Sequence, residues 1–402
     1  MYRDVEILPF ETKSKIVNCV RDNRNISRNE LAELTGLSNS TVTRIIESLI
    51  NNNDLIEESG YKSIPRGRPK RLLNFKGRNK YIIGIDIGTT YIRGLLSDYN
   101  AEHIKEIEIV NDTDRSVSHV TGKIESVVDI LLSANLVDKS KIKGIGIAVA
   151  GMINGLSGII EYSPAFNWKK VNLLKILKQR IELPLYYDNV SRLMALGEQF
   201  FGSGSRYNNF LVINVGYGIG AGIVINGHIY YGTNGITGEF GHYPIKGDDK
   251  VKCACGNNNC LTSYSSGDAI AKRVSSKIKD GRQSKLTMLS KDNCGIIDAE
   301  LVAKACEEGD VLSLEIFNKS MEYLGISIAG IINVLNPEAV FIGGGVAQAG
   351  SVFWDNLLST IEKNLFNCDL DVCPVKPVSF PYNSAIIGAV SLVLREVLCF
   401  RL

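Results

Sequence analysis

Residues 81–90 have the sequence YIIGIDIGTT, an apolar, β-branched run that ends in a Gly-containing turn. Such a run is typical of a buried strand and the turn that follows it. Three more segments share this design: 144–151 (GIGIAVAG), 210–220 (FLVINVGYGIG) and 340–345 (VFIGGG). Because these strands alternate with helical stretches such as 169–182 and 311–335, the sequence predicts an α/β architecture.

The first and third of these segments repeat one strand–turn unit about 130 residues apart. Duplicated units of this kind form the two phosphate-binding loops of actin-like, hexokinase-type ATPases. Their glycines let backbone N–H groups approach phosphate oxygens, and an Asp after the first strand can position Mg²⁺. The candidate nucleotide-site residues are Asp86, Gly88, Thr89, Gly216, Gly218, Gly220 and Gly344.

The composition is that of a folded protein of two or three domains and excludes several other classes. The chain has 402 residues, of which 45% are hydrophobic and 22% charged, so disorder is excluded and two or three domains are expected. Nine cysteines are too few for a secreted disulfide scaffold of this length. The charged N-terminus lacks the apolar core of a signal peptide, and no apolar run is long enough for a membrane span. We expect a cytoplasmic protein.

The net charge of +2 is unevenly distributed. Residues 1–80 contain 15 basic and 10 acidic side chains, a net charge of +5, and the remaining 30 basic and 33 acidic side chains give −3. Within residues 61–80 there are eight basic side chains and no acidic one. Such a segment favours contact with a polyanion, although a solvated linker is the alternative.

Three helical patterns occupy the N-terminal region. The first contains Ile16, Val17 and Val20, and the second follows a capping box at 27–30. After a turn at 35–37, Ser38 suits the N-cap of a third helix that extends to about residue 51. Its apolar residues share one face, whereas Ser40 and Arg44 point the other way. This is a helix-turn-helix pattern, and the alternative is a small helical bundle that binds a protein.

A β-hairpin wing is predicted after the third helix. A strand begins near 55–57, and the basic run ends near 72–75. Between them, the sequence PRGRP at 65–69 holds two arginines in an extended segment suited to a narrow minor groove. The candidate DNA-contacting residues are Arg28, Ser38, Asn39, Ser40, Thr41, Thr43, Arg44, Arg66, Gly67 and Arg68.

One imidazole and three thiols cluster in the second half of the chain. They belong to His242, Cys253, Cys255 and Cys260. A Cys₃His set is closed, with no position left for a catalytic water, and has the ligand count of a structural zinc site. The alternative is a core histidine beside three buried thiols. The sequence thus predicts structural Zn²⁺ as the cofactor.

On these residues the chain resembles the ROK (repressor, open reading frame, kinase) family, and within it the winged-helix sugar-responsive repressors. The DNA-binding part is similar over 26–38 and at 67–69. The family signature is matched by the Gly-rich stretch from Val215 to Gly222, by Asn226-Gly227, by GEFGH at 238–242 and by the Cys-x-Cys-Gly-x₃-Cys loop that follows.

The resemblance implies an actin-like body of two lobes whose C-terminal helix, at about 385–402, returns to the first lobe. It also implies a sugar site between the lobes, with Asn189, Glu239 and His242 as sugar contacts and His242 also as a zinc ligand. The implied domains are a winged helix-turn-helix domain at 1–78, a first lobe at 79–195 plus 385–402, and a second lobe with the zinc loop at 196–384.

Several positions depart from the pattern of active ROK kinases. These kinases carry an Asn-Asp pair in which the Asp is the general base, and aligning from 196–198 or from 183–184 places that Asp at Val190. Valine cannot accept a proton, so a contribution of about 10²–10⁴-fold is absent. Asp188 occupies a different strand position and faces differently. Tyr217 stands where a small Thr is usual and Thr262 where a sugar-binding Glu is usual, and Ala150 replaces a common Pro.

We therefore expect a homodimeric transcriptional repressor of carbohydrate-utilisation genes without phosphoryl-transfer activity, with a tetramer as the alternative assembly. Its expected partners are double-stranded operator DNA and a sugar effector, and its nucleotide-site residues are vestigial. Two-fold symmetry suits palindromic operators. Two alternatives stay open: an active ROK sugar kinase that also binds DNA, and a repressor controlled by a protein partner.

Overall fold

A computed structural model describes residues 10–51, 55–62, 69–155, 157–247, 250–290, 296–366 and 369–399. The winged head comes first in the chain. Its elements are α1 (Phe10–Asp22), β1 (Ile26–Ser27), α2 (Arg28–Thr35), α3 (Asn39–Asn51), β2 (Ile56–Lys62) and β3 (Lys70–Phe75). Strand β3 pairs antiparallel with both β1 and β2, which confirms the hairpin wing. The tip of the wing, 63–68, lies outside the described residues.

The first half of the body is built on a five-stranded sheet with the order β11-β7-β4-β5-β6. A separate three-stranded sheet has the order β10-β9-β8. The elements are β4 (Tyr81–Ile87), β5 (Tyr91–Asp98), β6 (His103–Val110), α4 (Val117–Ser133), β7 (Ile142–Val149), β8 (Met152–Asn154), β9 (Ile159–Ser163), β10 (Trp168–Val171), α5 (Leu173–Leu177) and β11 (Leu185–Asn189).

The second half repeats this arrangement with the sheet order β14-β13-β12-β15-β16. Its elements are α6 (Val190–Phe201), β12 (Phe210–Val215), β13 (Ile219–Ile225), β14 (His228–Ile229), α7 (Thr262–Ser265), α8 (Gly267–Lys279), α9 (Leu286–Leu289), α10 (Ala299–Glu307), α11 (Val311–Leu335), β15 (Ala339–Gly343), α12 (Ser351–Asn364), β16 (Val375–Pro377) and α13 (Ser384–Cys399).

The two large sheets share one topology. In each, three strands pair antiparallel and the first of these strands also pairs parallel with a later strand, as β4 does with β7 and β12 does with β15. This duplication confirms the predicted actin-like, hexokinase-type body. The four apolar runs noted in the sequence are β4, β7, β12 and β15, and the predicted helix 311–335 is α11.

The prediction of a helix over 169–182 is wrong. Residues 168–171 form β10, which pairs antiparallel with β9, and the helix that follows spans only 173–177. Trp168 is buried against Phe166, with ring centroids 4.9 Å apart. Pairing and burial of this strand therefore override a helix-compatible pattern that was judged from local sequence alone.

Helices α6 and α13 lie between the two sheets. Met194 and Ala195 of α6 share a hydrophobic cluster with β12 and β15, whereas Leu193 and Leu196 share another with α13. Helix α13 in turn packs against β4 and β7, as the resemblance implied. Among the described residues, no helix combines the length and the apolar character that crossing a membrane requires.

Glycines allow α13 to approach both the first sheet and α6 closely. A Cβ atom at Gly146 of β7 would lie 1.9 Å from the carbonyl oxygen of Ala389, and one at Gly388 would lie 2.1 Å from that of Leu193. These obstacles are backbone atoms, which cannot rotate away as a side chain can. The packing of α13 therefore requires glycine at these positions.

Replacing Gly146 by Ala should destabilise the body by about 3 kcal/mol, at the upper end of overpacking costs, because α13 has to move off the sheet. Urea-induced unfolding followed by circular dichroism measures this. The matched control is Gly122→Ala in α4, where nothing lies within 4 Å of the new Cβ. That change should stabilise the chain by about 1 kcal/mol. Equal stability of both variants would contradict the close approach of α13.

Candidate functional site

The second and third helices of the head form the predicted helix-turn-helix. Ser27 caps α2, its hydroxyl accepting from Glu30 N while the Glu30 carboxylate accepts from Ser27 N, which is the predicted capping box. Gly36 then ends α2 in the left-handed region at φ 71°. Ser38 Oγ accepts from Thr41 N at 3.2 Å at the start of α3.

Helix α3 has one buried and one open face. Val42, Ile45, Ile46 and Leu49 are buried in the core of the head. On the other side, Ser38, Asn39, Ser40 and Arg44 are exposed, and Thr41 and Thr43 are half-buried. The N-terminal half of this face can enter a groove of DNA, because its exposed side chains are small and polar apart from one guanidinium, with the exposed Glu47 one turn further on.

The remaining DNA candidates lie beside the wing. Arg28 forms an ion pair with Glu58 at 3.0 Å, and Glu58 also binds Arg71. The Ser27 hydroxyl and backbone N–H, together with Lys62, lower the pKa of Glu30 to about 2. The candidates Arg66, Gly67 and Arg68 fall outside the described residues.

Asn189 stands at the junction of β11 and α6. Its Oδ1 atom accepts from Ser191 N at 2.8 Å and from Arg192 N at 3.3 Å, so it caps the helix. Its Nδ2 group donates to the carbonyl of Gly151 at 2.8 Å. Val190, where a kinase would have its general base, is the first residue of the helix and is partly buried against apolar side chains.

Both carboxylate oxygens of Asp188 are engaged. Arg192 donates to Oδ1 from Nε at 2.8 Å and from Nη2 at 2.6 Å, and the Tyr231 hydroxyl donates to Oδ2 at 2.8 Å. Asp188 is therefore the partner of a buried guanidinium. The sequence reasoning missed Arg192 and Tyr231, although Asp188 and Arg192 have the i,i+4 spacing of a helical ion pair.

Glu239 is the N-cap of a short helical turn, Phe240–His242, which ends at His242 and follows a glycine with positive φ at 238. His242 Nε2 is 3.9 Å from Glu239 Oε2. Burial raises the pKa of Glu239, and the positive charge of Arg192 opposes this shift. Burial also lowers the pKa of His242. The turn therefore presents a carboxyl group and an imidazole side by side.

The four predicted metal ligands come together. Their ligand atoms all lie within 4.8 Å of one another. His242 Nδ1 is 3.6 Å from Cys253 Sγ, and the sulfurs of Cys255 and Cys260 are 3.7 Å apart. A tetrahedral ion with Zn–S bonds of about 2.3 Å separates its sulfurs by about 3.8 Å, so this donor set fits such an ion.

The loop that carries the three cysteines is held by its own backbone. Cys253 N donates to Asn257 O at 2.8 Å, and Ile245 N donates to Asn259 O at 2.9 Å. Asn259 adopts a positive φ of 57°, which asparagine tolerates better than most residues. The Tyr162 hydroxyl of β9 reaches Ala254 O at 3.3 Å, which links this loop to the small sheet.

The candidate nucleotide residues occupy the turns after β4, β12 and β15. Burial raises the pKa of Asp86 to about 6 against the opposing charge of Arg93, whose Nη2 lies 3.9 Å from the carboxylate. Gly88 and Thr89 are in the turn between β4 and β5, and Gly344 follows β15 at φ 94°. Sequence reasoning missed Arg93, which places a protein cation beside the carboxylate.

The turn after β12 is closed by its neighbours. Gly216 N donates to Gly218 O at 2.9 Å, and Ile219 N donates to Thr262 Oγ1 at 3.3 Å, with Gly220 next in β13. The Tyr217 side chain is 51% exposed at the tip of this turn. Thr262 thus supports the turn, where the kinase pattern has a sugar-binding carboxylate.

Two protein-family models match the chain. The model described as ROK family matches residues 82–396, and the model described as winged helix-turn-helix DNA-binding matches residues 10–53. The chain belongs to the ROK family. Both parts of the fold were predicted from the sequence, and both are confirmed.

Among its relatives in the ROK family, the chain is 30% identical to the xylose repressor of Caldicellulosiruptor bescii over 392 residues, with 96% of each chain covered. It is 32% identical to the glucokinase of Halalkalibacterium halodurans over 286 residues, covering 71% of this chain and 85% of the kinase. Among solved structures it is similar to a ROK family transcriptional regulator described as a homologue of the E. coli MLC protein. That match has a TM-score of 0.77 and 27% identity, and covers 97% of this chain and 96% of the other.

Proposed function

We propose that this ROK protein is a DNA-binding transcriptional repressor of carbohydrate-utilisation genes whose interlobe cleft binds a sugar and does not phosphorylate it. The observation that carries the proposal is the alignment with the xylose repressor, which covers 96% of both chains and so includes the winged head as well as the body. The alignment with the glucokinase covers only 71% of this chain. A repressor acts on the chromosome, so the proposal includes a cytoplasmic location.

The proposed division of the chain follows the duplicated sheets. The head is 1–78, the first lobe is 79–195 plus 385–402, and the second lobe is 196–384. Packing of α13 on β4 and β7 supports the return of the C-terminus to the first lobe. We also propose a homodimer, because two copies of α3 can then read the two half-sites of a palindromic operator.

The proposed DNA surface consists of the open face of α3, the start of α2 and the wing. Arg44 is an exposed guanidinium on α3, suited to the edge of a guanine in the major groove. Arg28 and Arg71 flank Glu58 nearby, where phosphates can be contacted. The Arg66–Arg68 segment of the wing is assigned to the minor groove on its sequence alone.

The proposed effector site contains Asn189, Glu239 and His242. Glu239 and His242 are adjacent on one turn, and Asn189 is fixed by its bonds to Gly151 and to the start of α6. Carboxylate, amide and imidazole groups are suited to sugar hydroxyls. The name of the xylose repressor makes D-xylose the first sugar to test, and the name of the glucokinase makes D-glucose the second.

Three features support the absence of phosphoryl transfer. Val190 supplies no general base, and the nearby Asp188 is already paired with Arg192 and Tyr231. Arg93 lies beside Asp86, the residue that positions Mg²⁺ in the resembled kinases. Phosphoryl transfer depends on positioning and charge neutralisation together. A missing general base at position 190 and an arginine beside the Asp86 carboxylate therefore both oppose it. The second candidate function, a sugar kinase, rests on the similarity to the glucokinase.

We further propose that the Cys₃His cluster holds one structural Zn²⁺. The ion would stiffen the loop that follows Glu239 and would leave no open coordination position for a catalytic water. His242 would then serve two purposes, with Nδ1 near Cys253 in the cluster and Nε2 toward Glu239.

Purified protein should contain one zinc per chain by plasma mass spectrometry. Cys260→Ser should lose the metal and lower the melting temperature, because it removes a ligand from a closed tetrahedral site. Cys306→Ala is the control, since this buried cysteine lies outside the cluster, and it should retain the metal. Full zinc occupancy in Cys260→Ser would refute the site.

Arg44→Ala should weaken operator binding by about 1–3 kcal/mol and relax the preference at one base pair, because a base-reading guanidinium is removed. Arg68→Ala should instead weaken binding most at A·T-rich flanks. The operator is first selected from random duplexes, and binding is then followed by fluorescence anisotropy. Arg282→Ala, which removes an exposed guanidinium of the second lobe, should change neither quantity. Unchanged affinity and sequence preference in both head variants would rule out this DNA surface.

A sugar that binds should raise the stability of the chain without being phosphorylated. At 100 times its dissociation constant it adds about 2.7 kcal/mol, which a thermal-shift screen that starts with D-xylose and D-glucose detects. Glu239→Gln should reduce the shift, because an ionised acceptor of sugar hydroxyls is lost. With ATP and Mg²⁺ the wild-type protein should release no ADP beyond background. Sugar-dependent ADP release would favour the kinase instead.

A further inference from the structure

Arg192 is the largest of the fully buried side chains in the described chain, with 2% of its surface exposed. Besides its two bonds to Asp188, it donates from Nη2 to Ile153 O at 3.0 Å and from Nη1 to Gly235 O at 3.3 Å. One guanidinium therefore joins the end of β11, strand β8 and the loop before Glu239. A buried charge of this kind requires all of these partners, because an unpaired one is costly.

These partners are the supports of the proposed sugar contacts. Strand β8 begins next to Gly151, whose carbonyl accepts from Asn189. Gly235 lies four residues before Glu239, and its carbonyl also accepts from Gly155 N at 3.1 Å. Arg192 thus holds together the two walls from which Asn189 and Glu239 project.

Tyr231 extends this group of contacts to helix α13. Its ring lies against the Arg192 guanidinium at 5.1 Å, and its hydroxyl donates to Asp188. The same hydroxyl oxygen accepts from Nη1 of Arg395 at 3.0 Å. The result is a continuous chain of polar groups, here called the polar chain, which consists of the buried Arg192 and Asp188 and the half-buried Tyr231 and Arg395.

Helices α6 and α13 both end against α1 of the DNA-binding head. Asn18 donates from Nδ2 to Gln199 O at 3.2 Å, and Lys13 donates from Nζ to Leu398 O at 3.5 Å. The Arg21 guanidinium lies 4.8 Å above the ring of Phe201. Apolar residues of α1, α6 and α13 form one hydrophobic cluster that also includes the inner face of α3.

We propose that Arg192 is a positioning residue of the sugar site and that the polar chain, through the hydroxyl of Tyr231, couples sugar occupancy to the placement of the DNA-binding head. The inference rests on the proposed function. Tyr231 belongs to the same loop as Glu239. A sugar that draws Glu239 toward itself therefore also moves the Tyr231 hydroxyl, which contacts Asp188 and Arg395. An effector can act only through its different affinity for two states, and a polar chain with a buried ion pair at its centre favours discrete arrangements.

The test is the variant Tyr231→Phe, which removes one hydroxyl and keeps the ring against Arg192. Affinity for the selected operator duplex is measured without sugar and with saturating D-xylose, or with D-glucose if only that sugar stabilises the protein. The coupling ratio is the quotient of the two dissociation constants, and such ratios are typically about 5–150. In Tyr231→Phe the ratio should fall toward one, while sugar affinity and sugar-free operator affinity stay within about threefold of wild type.

Two further variants separate coupling from folding. Tyr323→Phe removes a hydroxyl from a buried tyrosine of α11 outside the polar chain and should keep the wild-type ratio. Arg192→Lys retains the charge but cannot form all four hydrogen bonds to Asp188, Ile153 and Gly235, so it should weaken sugar binding about tenfold and leave sugar-free operator binding intact.

The possible failures are distinguishable. If the wild-type protein shows no sugar-dependent change in operator affinity, the proposed function fails and this inference fails with it. If the wild-type protein responds and Tyr231→Phe responds equally, the inference alone is overturned. Loss of sugar-free operator binding in Tyr231→Phe also overturns it, because a damaged fold would then explain the lost response.

Discussion

Burial of helix α6 on every side is the constraint on which the rest of the structure depends. All residues from Ser191 to Phe200 are buried. One side of the helix packs on the second sheet and another on α13, so it is the shared core of both lobes. Its first turn is capped by Asn189 in the cleft, and its last turn contacts α1 of the head. Twelve residues at a rise of 1.5 Å span about 18 Å, and a close-packed helix transmits displacement over that length with little loss.

Two carboxylates of the kinase-like scaffold are each balanced by an arginine side chain. Asp86 and Asp188 are carboxylates of the first sheet, and each has an arginine as its neighbour, Arg93 and Arg192 respectively. A guanidinium neutralises the negative charge of a carboxylate as a metal ion does. Unlike a metal ion, it is fixed to the chain and does not arrive bound to the phosphates of a nucleotide. The ion pair between Asp188 and Arg192 instead links the end of β11 to α6. Such links between segments agree with the proposed role of this site as a sensor of sugar.

Local patterns predicted the elements well and the long-range polar contacts poorly. The capping box at Ser27 and Glu30, the glycine-ended strands and the spacing of the four metal ligands all lie within short windows, so their physics is visible in the sequence. Arg395 could not be predicted, because it meets Tyr231 from 164 positions away through the packing of α13. The helix expected at 169–182 was wrong for the same reason, since pairing with β9 decided the outcome.

The head does not offer its full positive charge to DNA. Glu58 binds both Arg28 and Arg71, and Glu30 binds Lys62 at 3.1 Å, so several cations of the wing are already paired. Exposed pairs of this kind contribute about 0–1 kcal/mol each, which makes exchange of a carboxylate for a DNA phosphate inexpensive. Internal pairing lowers the attraction to arbitrary DNA, which depends on unpaired charge. Binding then relies more on the position of α3, and a small displacement of the head by α6 and α13 is enough to change it.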